Sequence, residues 1–177
     1  MSNVYTRDSD IERLHPLFRE KIRLLFADFE RENLPFRAFE CYRSPQRQAW
    51  LYQQGRTRPG AIVTYARAWE SYHQYGLAVD FVLYEQGRWS WDTSGERGQW
   101  WRRLHELGRA KGLEPLSFER PHLQVAGLTV ASLSIGNLPD GGDDSWADTL
   151  EAAAAGWTGQ PASPPFQLPT SRPPLDA

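Results

Sequence analysis

Apolar residues recur at helical spacing in three stretches of the chain. The first predicts a helix over residues 16–32, with a proline suited to its opening turn. The second predicts a helix over residues 45–54, because Ser44 is a good N-cap and the proline after it fits the first helical position. The third predicts a helix over about residues 98–111 that Gly112 closes.

Other stretches alternate or run apolar at strand length. They predict strands over residues 36–42, 61–65 and 78–84. The "EQG" turn after the third of these favours a hairpin, with "RWSW" starting the returning strand. The segment "LSFERPHLQVAG" predicts a last strand with a bend at Pro121.

The character of the chain changes after residue 127. The stretch "NLPDGGDDSWADTLEAAAAGW" allows one short alanine-rich helix at most, and the proline-rich end that follows predicts irregular chain. We therefore expect a catalytic domain over residues 1–127 and a largely irregular, proline-rich extension over residues 128–177.

Composition excludes several classes of protein. The chain has 177 residues, enough for one independent core, and its net charge of −2 with scattered arginines argues against a nucleic-acid partner. The chain contains no apolar run of about 18 residues, so no membrane span is predicted. One cysteine excludes an internal disulfide. Cys41 lies in an alternating stretch, so a buried inert thiol is expected rather than a nucleophile.

One acidic residue raises the question of chemistry. Asp80 lies inside the apolar run "AVDFVL", where an unpaired carboxylate would cost several kcal/mol. His73 lies seven residues upstream, and Gly76 between them allows the backbone to turn back. A structural His–Asp pair and a metal site both explain this spacing.

The segment "ERPHLQ" favours the metal. Catalytic zinc commonly takes three protein ligands, and His122 would supply the third, with Glu119 three residues before it. A surface glutamate beside a partly buried histidine is the alternative. His15, at a helix start, and His105, in an arginine-rich helix, are expected to be solvated.

Three blocks of the chain resemble the M15 zinc peptidases. "SYHQYGLAVD" matches the S-x-H-x-x-G-x-A-x-D motif of this family of D-alanyl-D-alanine carboxypeptidases and dipeptidases. "ERPHLQ" resembles the family's closing acidic-x-x-His segment. "CYRSPQRQAWLYQQGRTRPGAIVTYA" is similar to the branch that contains the bacterial and phage-endolysin L-alanyl-D-glutamate endopeptidases.

The resemblance implies a fold and a site. The fold is α+β, a small antiparallel sheet flanked by helices, as in D-Ala-D-Ala carboxypeptidase-like (hedgehog-like) zinc peptidases. Two imidazoles and one carboxylate would hold Zn²⁺, namely those of His73, His122 and Asp80. Glu119 would be the general base. Arg43 would engage the substrate, and Ser71 would support the site or touch the substrate.

The implied function is hydrolysis of an amide bond in the peptidoglycan stem peptide, as an L-alanyl-D-glutamate endopeptidase. An LD- or DD-carboxypeptidase and a non-catalytic zinc-stabilised wall-binding module are the alternatives. The N-terminus shows no secretory signal. We therefore expect synthesis in the cytoplasm and action in the periplasm or cell wall after release or delivery. A phage endolysin and a secreted effector with an immunity partner both fit, and a monomer without stable membrane insertion is the default.

Overall fold

The computed structural model describes residues 5–166. The strands are β1 (Phe36–Glu40), β2 (Ala78–Glu85), β3 (Arg88–Ser90), β4 (Leu113–Leu116) and β5 (Glu119–Val125). The α-helices are α1 (Pro16–Arg31), α2 (Pro45–Gln53), α3 (Gly95–Ala110), α4 (Val130–Ser134) and α5 (Asp144–Ala155). Two short 3-10 helices span Ile11–Arg13 and Tyr72–Tyr75.

The strands form one antiparallel sheet in the order β1-β2-β5-β4. The short strand β3 pairs with the far end of β2, as the predicted hairpin requires. The predicted α+β class, a small antiparallel sheet with helices, is confirmed.

One face of the sheet is packed against α1 and α3. The apolar core between them joins Phe18, Ile22 and Leu25 of α1 to Phe81 of β2 and Leu123 of β5. Side chains alternate along a strand, so the residues between these core positions point to the opposite face. That open face carries the polar residues considered below.

Sequence predicted the helices better than the strands. The helices α1, α2 and α3 begin and end within three residues of their predicted bounds. The strand predicted over residues 61–65 is wrong, since the segment has no regular structure and Ile62, Val63 and Tyr65 are exposed. The short strand β4, which contains Pro115, was not predicted.

The segment after residue 127 is more ordered than expected. Two helices occupy it where one was predicted, and Trp146 of α5 is fully buried. Its indole N–H donates to the carbonyl oxygen of Tyr75 at 2.8 Å, and its ring meets His15 edge-on at 4.7 Å. The prediction of a solvated His15 is therefore wrong. Of the proline-rich end, residues 167–177 lie outside the described part of the chain.

None of the helices described is both long enough and apolar enough to cross a membrane.

Candidate metal centre and its cleft

Two candidate ligands lie opposite each other on neighbouring strands. Asp80 of β2 pairs in register with His122 of β5, and on its other side with Glu40 of β1. Val79 and Phe81 belong to the core, so alternation turns Asp80 to the open face of the sheet. Both candidate ligands are buried.

His73 reaches the same place from the 3-10 helix that precedes β2. Ser71 caps this helix, because its hydroxyl accepts a hydrogen bond from the His73 backbone N–H while its own N–H donates to Gln74 Oε1. Gly76 ends the helix in the left-handed region, at φ 65° and ψ 30°, which glycine adopts without steric cost. The chain thereby turns directly into β2.

The three side chains converge on one carboxylate oxygen. Asp80 Oδ1 lies 3.3 Å from His73 Nε2 and 3.2 Å from His122 Nδ1. The two imidazole rings are edge to face, with centroids 5.0 Å apart. One potential ligand atom from each of the three residues lies within 4.8 Å of the other two.

The far nitrogens of both rings are held by hydrogen-bond acceptors. His73 Nδ1 lies 2.7 Å from the carbonyl oxygen of Cys41, and His122 Nε2 lies 3.0 Å from Gln124 Oε1. The Gln124 amide is oriented in turn, because its Nε2 donates to Glu114. An oxygen acceptor requires a proton on each far nitrogen, so the near nitrogen, which faces Asp80, is the one that can offer a lone pair to a metal.

This arrangement fits a metal ion. Two imidazole lone pairs and a carboxylate oxygen face one another, and His73 Nε2 is buried without a hydrogen-bond partner among the described residues. Three acceptors in one buried place repel unless protons or a metal cation lie among them. Two histidines and one carboxylate form a donor set typical of catalytic zinc.

Charge in the site points the same way. Burial is the largest influence on Asp80 and would raise its pKa, but His73 and His122 together bring the pKa well below the usual range. The pairing with Asp80 likewise raises the pKa of His122, although burial opposes it. The carboxylate thus draws positive charge to this point.

The second oxygen of Asp80 is held by a buried arginine. Arg43 Nη2 donates to Asp80 Oδ2 at 3.2 Å and to Glu40 Oε2 at 2.8 Å, and Nη1 donates to Gln48 Oε1 at 3.0 Å. Burial would lower the pKa of Arg43, yet the two carboxylates raise it. Arg47 bonds the other oxygen of Glu40. Arg43 and the carboxylates it contacts therefore stay ionised together.

Glu119 stands at the mouth of the site, where two cavities meet. It is half-buried at the start of β5, and its carboxylate interacts electrostatically with Arg43 and His122. The first cavity, of about 400 Å³, lies between the segment 62–66 and the β4–β5 turn at Phe118. The second, of about 310 Å³, lies over β1 and β2. Glu119 and Arg43 line both.

The structure brings all the sequence-predicted site residues to this cleft. They are His73, Asp80, His122, Glu119, Arg43 and Ser71. Sequence reasoning gave no role to Glu40, Gln48 or Gln124, which hold the others in place. Gln124 had a usable signal, because a residue two positions from His122 on a strand shares its face.

The cysteine prediction is confirmed in one respect. Cys41 is buried, and burial, with the nearby carboxylates, raises the pKa of its thiol well above the usual value. The thiolate is therefore disfavoured at neutral pH, and the residue serves the site through its backbone carbonyl. His105 lies apart on α3, where its ring bonds the carbonyl oxygen of Arg120.

Comparison with known proteins gives a family match. Residues 11–131 match the VanY family model, described as D-alanyl-D-alanine carboxypeptidase. The peptidoglycan L-alanyl-D-glutamate endopeptidase CwlK of Bacillus subtilis is 39% identical over 106 residues, which is 57% of this chain. The chain spans 64% of the length of that relative.

Two solved structures are also similar. The LD-carboxypeptidase LdcB superposes with a TM-score of 0.51 at 19% identity, over 72% of this chain and 66% of that one. The L-Ala D-Glu endopeptidase ChiX of Serratia marcescens gives a TM-score of 0.47 at 20% identity, over 69% of this chain and 91% of that one. The similarity to the LdcB structure supports the fold assignment.

Proposed function

This chain belongs to the VanY family of M15 peptidases, and from that premise we propose that it is a zinc-dependent hydrolase of the peptidoglycan stem peptide, cleaving the bond between L-alanine and D-glutamate. The observation that carries the proposal is the convergence of His73 Nε2 and His122 Nδ1 on the carboxylate of Asp80, with Glu119 at the same cleft. The similarity to CwlK supports the choice of bond.

His73 Nε2, Asp80 and His122 Nδ1 would hold the zinc ion. When bound, zinc lowers the pKa of a water molecule toward about 7 and polarises a peptide carbonyl. The carbonyl oxygen of Cys41 and the amide of Gln124 keep each ring in the tautomer whose free nitrogen faces the ion. Arg43 keeps the carboxylate of Asp80 ionised and fixed.

Glu119 would move the proton. It accepts a proton from the attacking water and delivers it to the nitrogen of the leaving amine, the task of a general base that becomes a general acid. Its position at the junction of the two cavities supports this role, because a substrate that runs from one cavity to the other passes it. A binding module would need no such residue.

Arg43 and Ser71 would serve the substrate in different ways. Arg43 lines both cavities, which supports a contact between its guanidinium group and a stem carboxylate. Ser71 lines the first cavity and caps the helix that carries His73, so it supports the site whether or not it touches substrate.

The first test is a digest of purified peptidoglycan by the zinc-loaded protein, read by mass spectrometry. We expect stem peptides that begin at D-glutamate. The Glu119→Gln variant should retain zinc, measured by elemental analysis, and lose at least about 10²-fold in rate, since base catalysis is worth about 10²–10⁴-fold.

The products separate the alternatives. Release of a single terminal amino acid would make the chain a carboxypeptidase, the activity in the description of its family model. Cleavage by Glu119→Gln within a few-fold of wild type would refute the base assignment. Binding without cleavage by the wild type would favour the non-catalytic module.

A further inference from the structure

A row of aromatic side chains crosses the open face of the sheet and ends at the second cavity. This aromatic row consists of Tyr84, Trp89, Phe39 and Trp91, in that order. Successive ring centroids lie 4.9, 5.0 and 5.2 Å apart, each pair edge to face. Phe39 and Trp91 line the second cavity together with Asp80 and Glu119.

The aromatic row is accessible at Trp91 and carries a guanidinium group over Phe39. Trp91 is 52% exposed although its ring is ordered against Phe39. The guanidinium group of Arg7 lies 3.7 Å above the Phe39 ring and 5.4 Å from that of Trp89. Rigid aromatic faces flanked by hydrogen-bond donors suit a ligand whose rings have apolar faces and polar edges.

We propose that the aromatic row is a glycan subsite, which seats the sugar that carries the stem peptide on the N-terminal side of the scissile bond. This rests on the proposed function. Pyranose rings present C–H groups on their faces and hydroxyl and N-acetyl groups at their edges. Their faces stack on aromatic rings, and their oxygen atoms accept hydrogen bonds from donors such as Arg7.

The spacing supports this assignment. Two acyl units, the lactyl group and L-alanine, separate the sugar ring from the scissile amide, and each spans at most about 3.3–3.6 Å. The sugar must therefore begin roughly 7 Å from the reacting carbonyl. Along β2, Val82 lies two residues from Asp80, which is about 7 Å at the strand rise, and Val82 lines the cavity with Phe39 and Trp91.

The row also has the length of a disaccharide. Tyr84 lies four residues from Asp80 on the same strand face, which is about 13 Å. Trp89 is its cross-strand partner in β3. A second sugar could thus continue along the row away from the site, as the linear glycan strand requires. The first cavity then takes the stem peptide on the other side of the bond.

The test compares two substrates and four proteins, the wild type and three variants. The substrates are the disaccharide–stem peptide and a bare peptide, the same stem peptide with a lactyl group but no sugar on its N-terminus. We expect the wild type to prefer the sugar-bearing substrate and Trp91→Ala to lose about 10-fold or more in kcat/KM for it, with the bare peptide unchanged within about 2-fold. Trp91→Phe keeps a ring and should retain most of the preference.

Phe118→Ala is the contrasting variant, because Phe118 is an exposed aromatic residue on the first cavity. A loss confined to the sugar-bearing substrate in Phe118→Ala, and not in Trp91→Ala, would overturn the assignment. So would an equal loss on both substrates in Trp91→Ala, or no preference in the wild type.

A binding measurement separates this inference from the proposed function. Calorimetric titration of Glu119→Gln with each substrate reads the preference without turnover. If the wild type cleaves neither substrate, the proposed function fails. A sugar preference that Trp91→Ala abolishes would still support the glycan subsite, and the absence of that preference would reject it.

Discussion

Each imidazole of the site is held through the nitrogen that faces away from Asp80. For His73 the holding group is a backbone carbonyl, which no substitution can remove, but for His122 it is the side chain of Gln124. Gln124 is oriented by Glu114, so a chain of hydrogen bonds runs from β4 to the site. The geometry of a candidate metal ligand is thus set by residues that would not touch the metal.

Replacement of Gln124 therefore tests whether orienting the His122 ring contributes to zinc affinity, because Gln124 itself would not contact the metal. In Gln124→Leu the His122 ring loses the acceptor that selects its tautomer, and zinc affinity should fall about 10- to 100-fold. Competition with a chromophoric chelator measures this directly. Gln46→Leu is the control, because that side chain bonds the carbonyl oxygen of Gly156 away from the site. An affinity within 2-fold of wild type in Gln124→Leu would rule out the holding role.

At the residue scale, sequence could predict which side chains meet because a buried charge demands a partner. Asp80 lies in an apolar run, and the prediction that His73 and His122 lie beside it is confirmed. The same reasoning could not predict the roles of Glu40 and Gln48. Both accept hydrogen bonds from Arg43, and these contacts depend on how separate elements pack.

The short 3-10 helix that carries His73 depends on Gly76, the residue that follows it. A methyl group at Gly76 would lie 2.9 Å from the carbonyl oxygen of Arg13 and 3.0 Å from Cδ1 of Trp146. Gly87, in the β2–β3 turn, has a similar φ of 79° but nothing within 4 Å. The two glycines therefore differ in crowding and share the same backbone preference.

This pair gives a matched prediction for the element. Gly87→Ala should cost about 1 kcal/mol of unfolding free energy, the strain of a left-handed alanine. Gly76→Ala adds crowding and should cost about 2–4 kcal/mol. Urea denaturation measures both. Equal losses of unfolding free energy in the two variants would mean that Arg13 and Trp146 shift without cost to admit a methyl group at residue 76.

Among the elements, those with local signals were predicted and those defined by partners were not. Helix α2 begins where expected because Ser44 caps it through its own hydroxyl, accepting from Arg47 N–H. The apolar segment 61–65 has the composition of a strand but has no strand to pair with, and it forms the rim of the first cavity instead. Strand β4 exists because β5 pairs with it.

For the molecule as a whole, the candidate ligands tie separate parts of the chain together. His73 precedes β2, Asp80 lies on β2, and His122 lies on β5. A ligand that binds the folded state alone stabilises it by mass action, about 2.7 kcal/mol at one hundred times its dissociation constant. Metal removal should therefore lower thermal stability as well as activity.

Thermal denaturation with zinc and with a chelator tests this expectation. The melting temperature of the wild type should be several degrees lower with chelator than with zinc. The melting temperature of His122→Ala should be the same with zinc and with chelator. His105→Ala is the control, because it removes a histidine that lies outside the site and should keep the response to zinc. A wild type indifferent to the chelator would contradict a structural contribution from the metal.

The buried Trp146 bears on how this protein can be joined to others. The family match ends at residue 131, yet Trp146 fills a slot against Tyr75 and His15 that the matched region leaves open. A gene fusion spliced at the end of the match would leave that slot to solvent beside the helix that carries His73. A fusion that keeps this packing intact must be joined beyond α5. The unit to be transferred is therefore longer than the region that the family model matches.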